Sequence, residues 1–391
     1  MSASCLKLYG LACASAIVLA ACGGGGGGYR GGVVAPTGYG VTTPMPTTMP
    51  MGGGAPTGTS YVATNLVSDL ATGNSLYATS KADPNLINAW GVAFNPQAFV
   101  WVANAGTSTS TLYDGNGAPQ SLVVAIPPGS AGAAMPTGIV FNGHQDFMVT
   151  KAGVSGASAF IFAGRAGTLS GWSPGVDTTN AVTVFDGGGS GTLYTGLAIA
   201  SQGASDMLYA ADFHNGKVDV FDSSFTKRPA AGFADQGLPA GYAPYGIQTI
   251  NGRIYVSYAR QDASGQNAQG GAGQGAVDVF DTSGNLVSRL IPTGSALNAP
   301  WGMAMAPADF GPFSGALLVA NVGDGKVNAF NPTNGAMMGT LSMSDGNPVA
   351  IDGLHGIAFG NGLNNQPTNT LFFAAGPGGG AHGVYGRIDN R

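Results

Sequence analysis

The chain has 391 residues, is 44% apolar, and carries charge on only 8% of its residues, for a net charge of −5. No basic run occurs, which argues against a phosphate-reading, nucleic-acid type of surface, and the weak charge gives little steering of ionic partners. All 19 acidic residues are Asp, Lys is scarce and Gly numbers 67, so good helix formers are depleted while strand and turn formers remain. The composition predicts an all-β protein with many tight turns.

Residues 1–22 read as a signal peptide. Lys7 supplies a thin positive start, and the apolar run from Leu8 to Ala21 is shorter than the ~20 residues a spanning helix needs. The run ends Leu19-Ala20-Ala21-Cys22, which resembles a bacterial lipobox, where the Cys is lipidated and becomes the first mature residue. The competing reading is an ordinary small-residue cleavage site. Cys5 and Cys13 lie inside the removable segment, so a mature chain starting at Cys22 would hold no disulfide. Acyl chains on Cys22 would anchor the protein to a membrane without spanning it. Gly23 follows the Cys, and the absence of Asp there resembles the sorting signal of Gram-negative outer-membrane lipoproteins. Residues 23–60, with six consecutive glycines and then Pro, Thr, Met and Gly, read as a disordered tether.

From Tyr61 to Arg391 the composition is globular, and six related units follow one another. Each has a Gly-led apolar segment, a second apolar segment, and a third after a tight turn. The first segments contain Trp90-Gly91, Thr137-Gly138, Thr195-Gly196, Tyr245-Gly246, Trp301-Gly302 and His355-Gly356. The second segments are FVWVAN ending at Asn104, DFMVTK ending at Lys151, MLYAAD ending at Asp212, RIYVSYAR ending at Arg260, LLVAN ending at Asn321, and LFFAAG. The marker glycines recur roughly every 50 residues, close to the length of a propeller blade with loop insertions. Asn215-Gly216, Asn251-Gly252 and Asp324-Gly325 are dipeptides that accept positive φ in hairpin turns. Six such units close into a six-bladed β-propeller, whose innermost strands crowd the axis and favour Gly there. The segment Tyr61–Asp69 is predicted to add a strand to the last blade and latch the ring.

The blocks ATNLVSD, DPNLINAWG, TSTLYDGNG, GTLSGW, YAPYGIQ and LHGIAFGNG, with the repeats LLVANVGDGKVNAF and LYAADFHNGKVDVFD, resemble a bacterial secreted family of six-bladed NHL- and YVTN-like propellers. The resemblance runs from Tyr61 to Ile388. It implies the fold and an exported location, and no particular chemistry.

The residues before the marker glycines form a ring at one mouth of the axial channel, and the ends of the second strands join that face. Trp90, Tyr245, Trp301, His355, Asn104, Asp212 and Asn321 are therefore the candidate ligand-binding residues. Aromatic walls with a few polar groups suit a small-molecule, carbohydrate or peptide pocket; the alternative is an aromatic plug with polar groups serving loop backbone. The insertion Gln261 to Gly275 is predicted to overhang this mouth, as a flap or as a plain surface loop. No catalytic motif is present: HExxH is impossible without Glu, and His144, His214, His355 and His382 are too far apart in sequence for close ligand spacing. No P-loop or G-x-S-x-G elbow occurs, and no redox cofactor is implied. The expected role is an envelope-anchored binding module for a protein, carbohydrate or small ligand. The alternative is a Ca²⁺-dependent hydrolase of lactones or esters, using oxygens of Asp212, Asp352, Asn88 and Asn298.

Overall fold

The apolar runs form short antiparallel strands that are buried on both faces. Leu317–Asn321 shows why: Leu317 and Val319 pack toward the preceding blade, while Leu318 and Ala320 pack toward the following one. The same period-2 alternation divides Phe160 and Phe162 from Ile161 and Ala163, and Leu371 and Phe373 from Phe372 and Ala374. A strand sandwiched between two sheets reads as a continuous apolar run.

The computed structural model describes residues 59–391 apart from 204, 230 and 231. The signal-peptide reading, Cys22, and the tether up to residue 58 lie outside the described residues. Among the described residues the helical pieces are two single 3₁₀ turns, Gly188–Ser190 and Gly311–Phe313. The rest is a six-bladed β-propeller. Its inner strands are Ala89–Phe94, Pro136–Phe141, Tyr194–Gln202, Tyr242–Ile250, Pro300–Met305 and Leu354–Phe359. Each contacts the next, and the sixth contacts the first. Six interblade cores fill the gaps between sheets, and a seventh cluster, of Trp90, Phe213, Tyr245, Trp301 and small residues, sits at the axis.

Tyr61–Ser68 pairs antiparallel with Val384–Asn390 in blade six. The first described segment thus closes the ring, as its sequence position predicts. Ser60 and Arg391 exchange backbone hydrogen bonds of 3.1 and 2.9 Å, and the Tyr61 hydroxyl donates to Phe310 O at 2.9 Å, tying the latch to blade five.

Blade two differs from its expected form. Its second strand is Phe160–Gly164, paired with Pro136–Phe141 and with Thr168–Trp172. The segment expected there, ending at Lys151, forms a separate hairpin of Met148–Lys151 with Val154–Ala157. A short apolar run has no helix-like period to place it, and either run fits the same slot.

The marker glycines set the spacing at the axis. A Cβ at Gly91, Gly246, Gly302 or Gly356 would lie 2.6, 2.0, 2.3 or 2.4 Å from a carbonyl oxygen of the next blade, that of Thr137, Trp301, His355 or Trp90 respectively. At Gly138 it would lie 2.5 Å from the Leu197 nitrogen. Gly196 is looser, with its nearest neighbours at 3.2 Å. Backbone cannot yield as a side-chain tip can, so Gly246→Ala and Gly302→Ala are expected to cost about 3 kcal/mol or more by overpacking. Gly196→Ala is expected to cost visibly less. Denaturant midpoints of the three variants check the order.

Candidate functional site

The pairing register of every blade slips between inner and second strand beside the marker glycine. Trp90, Thr137, Thr195, Tyr245, Trp301 and His355 all sit at these irregularities. A bulge re-aims a side chain, and here it turns six side chains toward the axis. Asn88, Met135, Ala299 and Gly353, each just upstream, have φ of 51°, 48°, 48° and 65°. This left-handed kink swings the chain from the rim of the mouth into the inner strand.

The ring is filled unequally. Trp90 stacks on His355 with centroids 3.8 Å apart and meets Trp301 and Tyr245 edge-on at 5.9 and 6.0 Å. Thr137 and Thr195 are small and fully buried. The space they leave is taken by Trp301, whose Nε1–H donates to Thr195 O at 2.7 Å. The Trp90 Nε1–H donates to Asn88 Oδ1 at 2.9 Å. These four aromatic side chains are at most 9% exposed, so they plug the channel. Above the plug, however, lies a cavity of about 490 Å³ with Trp90, Tyr245 and His355 in its floor. Its walls include Asn88, Met135, Arg165, Asn267, Ala268, Val322, Asp352 and the glycines 376, 379 and 380.

His355 Nδ1 lies 2.7 Å from Gly353 O. The carbonyl can only accept, so Nδ1 carries the proton and Nε2 presents a lone pair. Burial depresses the His355 pKa to about 3, and the Arg165 charge acts in the same direction. The ring is therefore neutral at pH 7. Burial likewise raises the Tyr245 phenol and lowers Arg165. Arg165 NH2 donates to Gln266 O at 2.9 Å and to Asn267 Oδ1 at 3.0 Å.

Gln266 and Asn267 belong to the insertion, which does overhang the mouth and is pinned there. Asp262 organises it, accepting from the Ser264 hydroxyl at 2.7 Å and from Asn267 Nδ2 at 3.0 Å. Those bonds hold the Asp262 carboxyl well below its usual range. Gln261 Nε2 donates to Phe213 O at 2.6 Å, and Gly271 N–H donates to Asn298 Oδ1 at 2.6 Å. Ala268–Gln269 adds two residues of pairing to Arg260–Gln261. The insertion spans from blade four to blades two and five.

The structure brings Trp90, Tyr245 and His355 to the cavity, with Trp301 beneath them. Asn104, Asp212 and Asn321 are not in its wall; all three are fully buried at the ends of second strands. Asn104 Nδ2 donates to Thr111 at 3.0 Å, and Asn321 Nδ2 donates to Ala296 O at 3.0 Å. Asp212 accepts from Leu193 N–H at 3.1 Å and from Asn215 Nδ2 at 2.8 Å. Asn321 thus serves loop backbone and Asp212 a turn, whereas Asn104 bonds a hydroxyl of the adjacent strand. Lys151 pairs with Asp177 at 2.6 Å, on the side hairpin. Of the four oxygen donors considered for calcium, Asn88 and Asp352 line the cavity, Asp212 is fully buried outside its lining, and Asn298 is engaged by Gly271. Among the described residues no three His, Cys, Asp or Glu side chains gather as a metal cluster.

Arg165 is absent from the sequence-based list because it follows the true second strand of blade two. The pair FIFAG…TLSGW, joined by a short turn, matches VWVAN…TSTLY in blade one, and that match is the signal that places it. The glycines 376, 379 and 380 lie in a loop with no pattern to mark it.

The His355 assignment has a pH consequence. The unfolded His takes a proton below about 6.5 and the folded one only near 3, so its contribution is full above 6.5 and is lost as pH falls from 6.5 toward 3. The stability difference between the natural protein and His355→Asn is expected to shift against the natural protein by up to about 1.4 kcal/mol per pH unit in that window. Guanidinium unfolding of both proteins between about pH 7.5 and pH 4.5 measures it.

No protein-family model matches the chain. Among solved structures, the soluble aldose sugar dehydrogenase of Escherichia coli in its apo-form is similar at TM-score 0.48 and 13% identity, over 85% of this chain and 100% of that one. Virginiamycin B lyase from Staphylococcus aureus is similar at TM-score 0.45 and 14% identity, over 85% of this chain and 99% of that one. Likeness at this identity concerns the fold alone. Two sequence relatives are uncharacterized proteins of Acanthamoeba polyphaga mimivirus. R648 is 34% identical over 310 residues, 77% of this chain and 74% of its own, and L690 is 33% identical over 305 residues, 76% and 79%. Both relatives are viral, whereas the sequence resemblance points to bacterial secreted proteins. With identity of this level over most of each length, the chain belongs to one family with the mimivirus proteins R648 and L690.

Proposed function

We propose that this propeller works by binding a small ligand in the axial cavity. The observation that carries the reading is the cavity itself. At about 490 Å³ it falls in the range of small-molecule sites, with an aromatic floor and a few convergent polar groups. Five blades contribute to it, through Trp90, Arg165, Tyr245, Val322 and His355, so the ring holds the polar groups rigidly. The pinned insertion supplies a wall, through Asn267 and Ala268. Ala268→Trp would fill the cavity from its rim, beside the plug that Ala268 already packs against. Native mass spectrometry of the protein with a metabolite mixture is expected to show a bound small molecule, lost in Ala268→Trp at an unchanged melting temperature. Equal capture by both proteins would sink the reading.

Export and anchoring belong to the same proposal. Their support is the order Leu19-Ala20-Ala21-Cys22 after an apolar run, followed by a glycine-rich segment. The protein is then held at a cell envelope, the outer membrane of a Gram-negative cell, with the propeller displayed outside the cytoplasm. Cys22→Ser is expected to move the protein from the membrane fraction to the soluble fraction; unchanged fractionation refutes the anchor.

A further inference from the structure

We infer that the occupant of the axial cavity is a small monoanionic carboxylate that also carries an O–H or N–H donor. The inference rests on the proposed binding role of the cavity and goes on to the chemistry of the ligand.

Arg165 is the one cation among the lining residues. Among the described residues it forms no ion pair, since its NH2 donates to two neutral oxygens, of Gln266 and Asn267. Its Nε and second terminal nitrogen make no hydrogen bond among those residues, so one edge of the guanidinium fork is unused. That edge matches the two oxygens of a carboxylate. Burial takes water from the Arg165 guanidinium, and an anion entering the cavity gives it a direct charge partner.

Two further polar side chains point to a ligand independently. Tyr245 and His355 are 4% and 5% exposed. Neither the Tyr245 hydroxyl nor His355 Nε2 makes a hydrogen bond among the described residues, although His355 Nδ1 is engaged by Gly353. A buried polar atom facing a cavity without a partner is a place where a ligand gains a bond. The hydroxyl donates or accepts, whereas Nε2 of the neutral ring only accepts, so it calls for an O–H or N–H on the ligand. The lining also holds Asp352, whose Oδ2 accepts from Gly378 N–H at 2.8 Å. A carboxylate in the same lining as the single cation disfavours a second negative charge on the ligand; a phosphate dianion would meet Asp352 without a second cation to balance it.

The probes are 4-hydroxyphenylacetate, mandelate and the N-acetylated dipeptide N-acetyl-glycyl-tyrosine, each beside its uncharged amide. Calorimetric titration of the full chain runs up to about 10 mM ligand. At least one acid is expected to bind roughly tenfold or more tightly than its amide. Arg165→Gln is expected to erase that preference while leaving amide binding in place. Arg165→Lys, which keeps the charge and loses the fork, is expected to retain part of it. Preference for the dipeptide over the free acids would place the carboxylate at a peptide end, within the same chemistry. Equal binding of acids and amides, or a preference untouched by Arg165→Gln, overturns the carboxylate inference and leaves the cavity reading standing. Binding of acid and amide that persists in Ala268→Trp overturns the cavity reading instead. If none of the acids binds the natural protein, the inference fails.

Discussion

The contact on which the rest depends is the closest approach of neighbouring inner strands at the axis. At Gly91, Gly246, Gly302 and Gly356 the space for a Cβ is already occupied by the next blade's carbonyl oxygen. That oxygen belongs to the residue just before the next marker glycine, so one blade's glycine seats the ring residue of its neighbour. The relation holds at four of the six steps, including the closing one from Gly356 to Trp90. An inner strand cannot slide along its neighbour without breaking this match. The ring residues are therefore fixed in height as well as in direction, and the register slips that aim them at the axis are part of the closure.

Closure of this kind would produce a symmetric mouth if the ring residues were alike. They are four large rings and two threonines, and the threonines fall on adjacent blades two and three. Trp301 leans into that gap and bonds the Thr195 carbonyl. Arg165 from blade two and the insertion from blade four then cover the same side from above. The cavity is what remains between this cover and the stacked Trp90–His355 pair. Its shape follows from side-chain sizes at six equivalent positions, an asymmetry imposed on a near-repeating backbone.

Much of this was legible in the residues. The marker glycines, the Asn-Gly and Asp-Gly turns and the apolar doublets carry the repeat, and the Tyr61 segment precedes the first repeat, which is why it reads as a latch. The ring aromatics were legible because their positions are tied to those glycines. The second-strand ends were harder. Asn104, Asp212 and Asn321 look like a polar crown in sequence, yet they are fully buried, and they bond a neighbouring strand's hydroxyl, a turn and a loop carbonyl respectively. Blade two hid Arg165 because an extra hairpin precedes its real second strand. Contacts of the insertion join residues about a hundred positions apart, such as Arg165 with Gln266, and no local pattern reports them.

Electrostatics separate Arg165 from most other cations of the propeller. Lys217 and Lys227 both reach Asp219, Arg289 pairs with Asp235, Arg387 with Asp389, and Lys326 with Asp324. Among the described residues, the hydrogen bonds of Arg165 go to carbonyl oxygens alone. Those neutral acceptors orient the guanidinium but do not cancel its charge, and a neutral His355 beside it adds none of its own. A protonated His355 would repel Arg165 across the floor of the cavity, so the burial that keeps the imidazole neutral also preserves room for a negative ligand. The plug beneath and the charge above are in this sense one device: the stacked rings exclude water, and exclusion of water gives the single cation its reach.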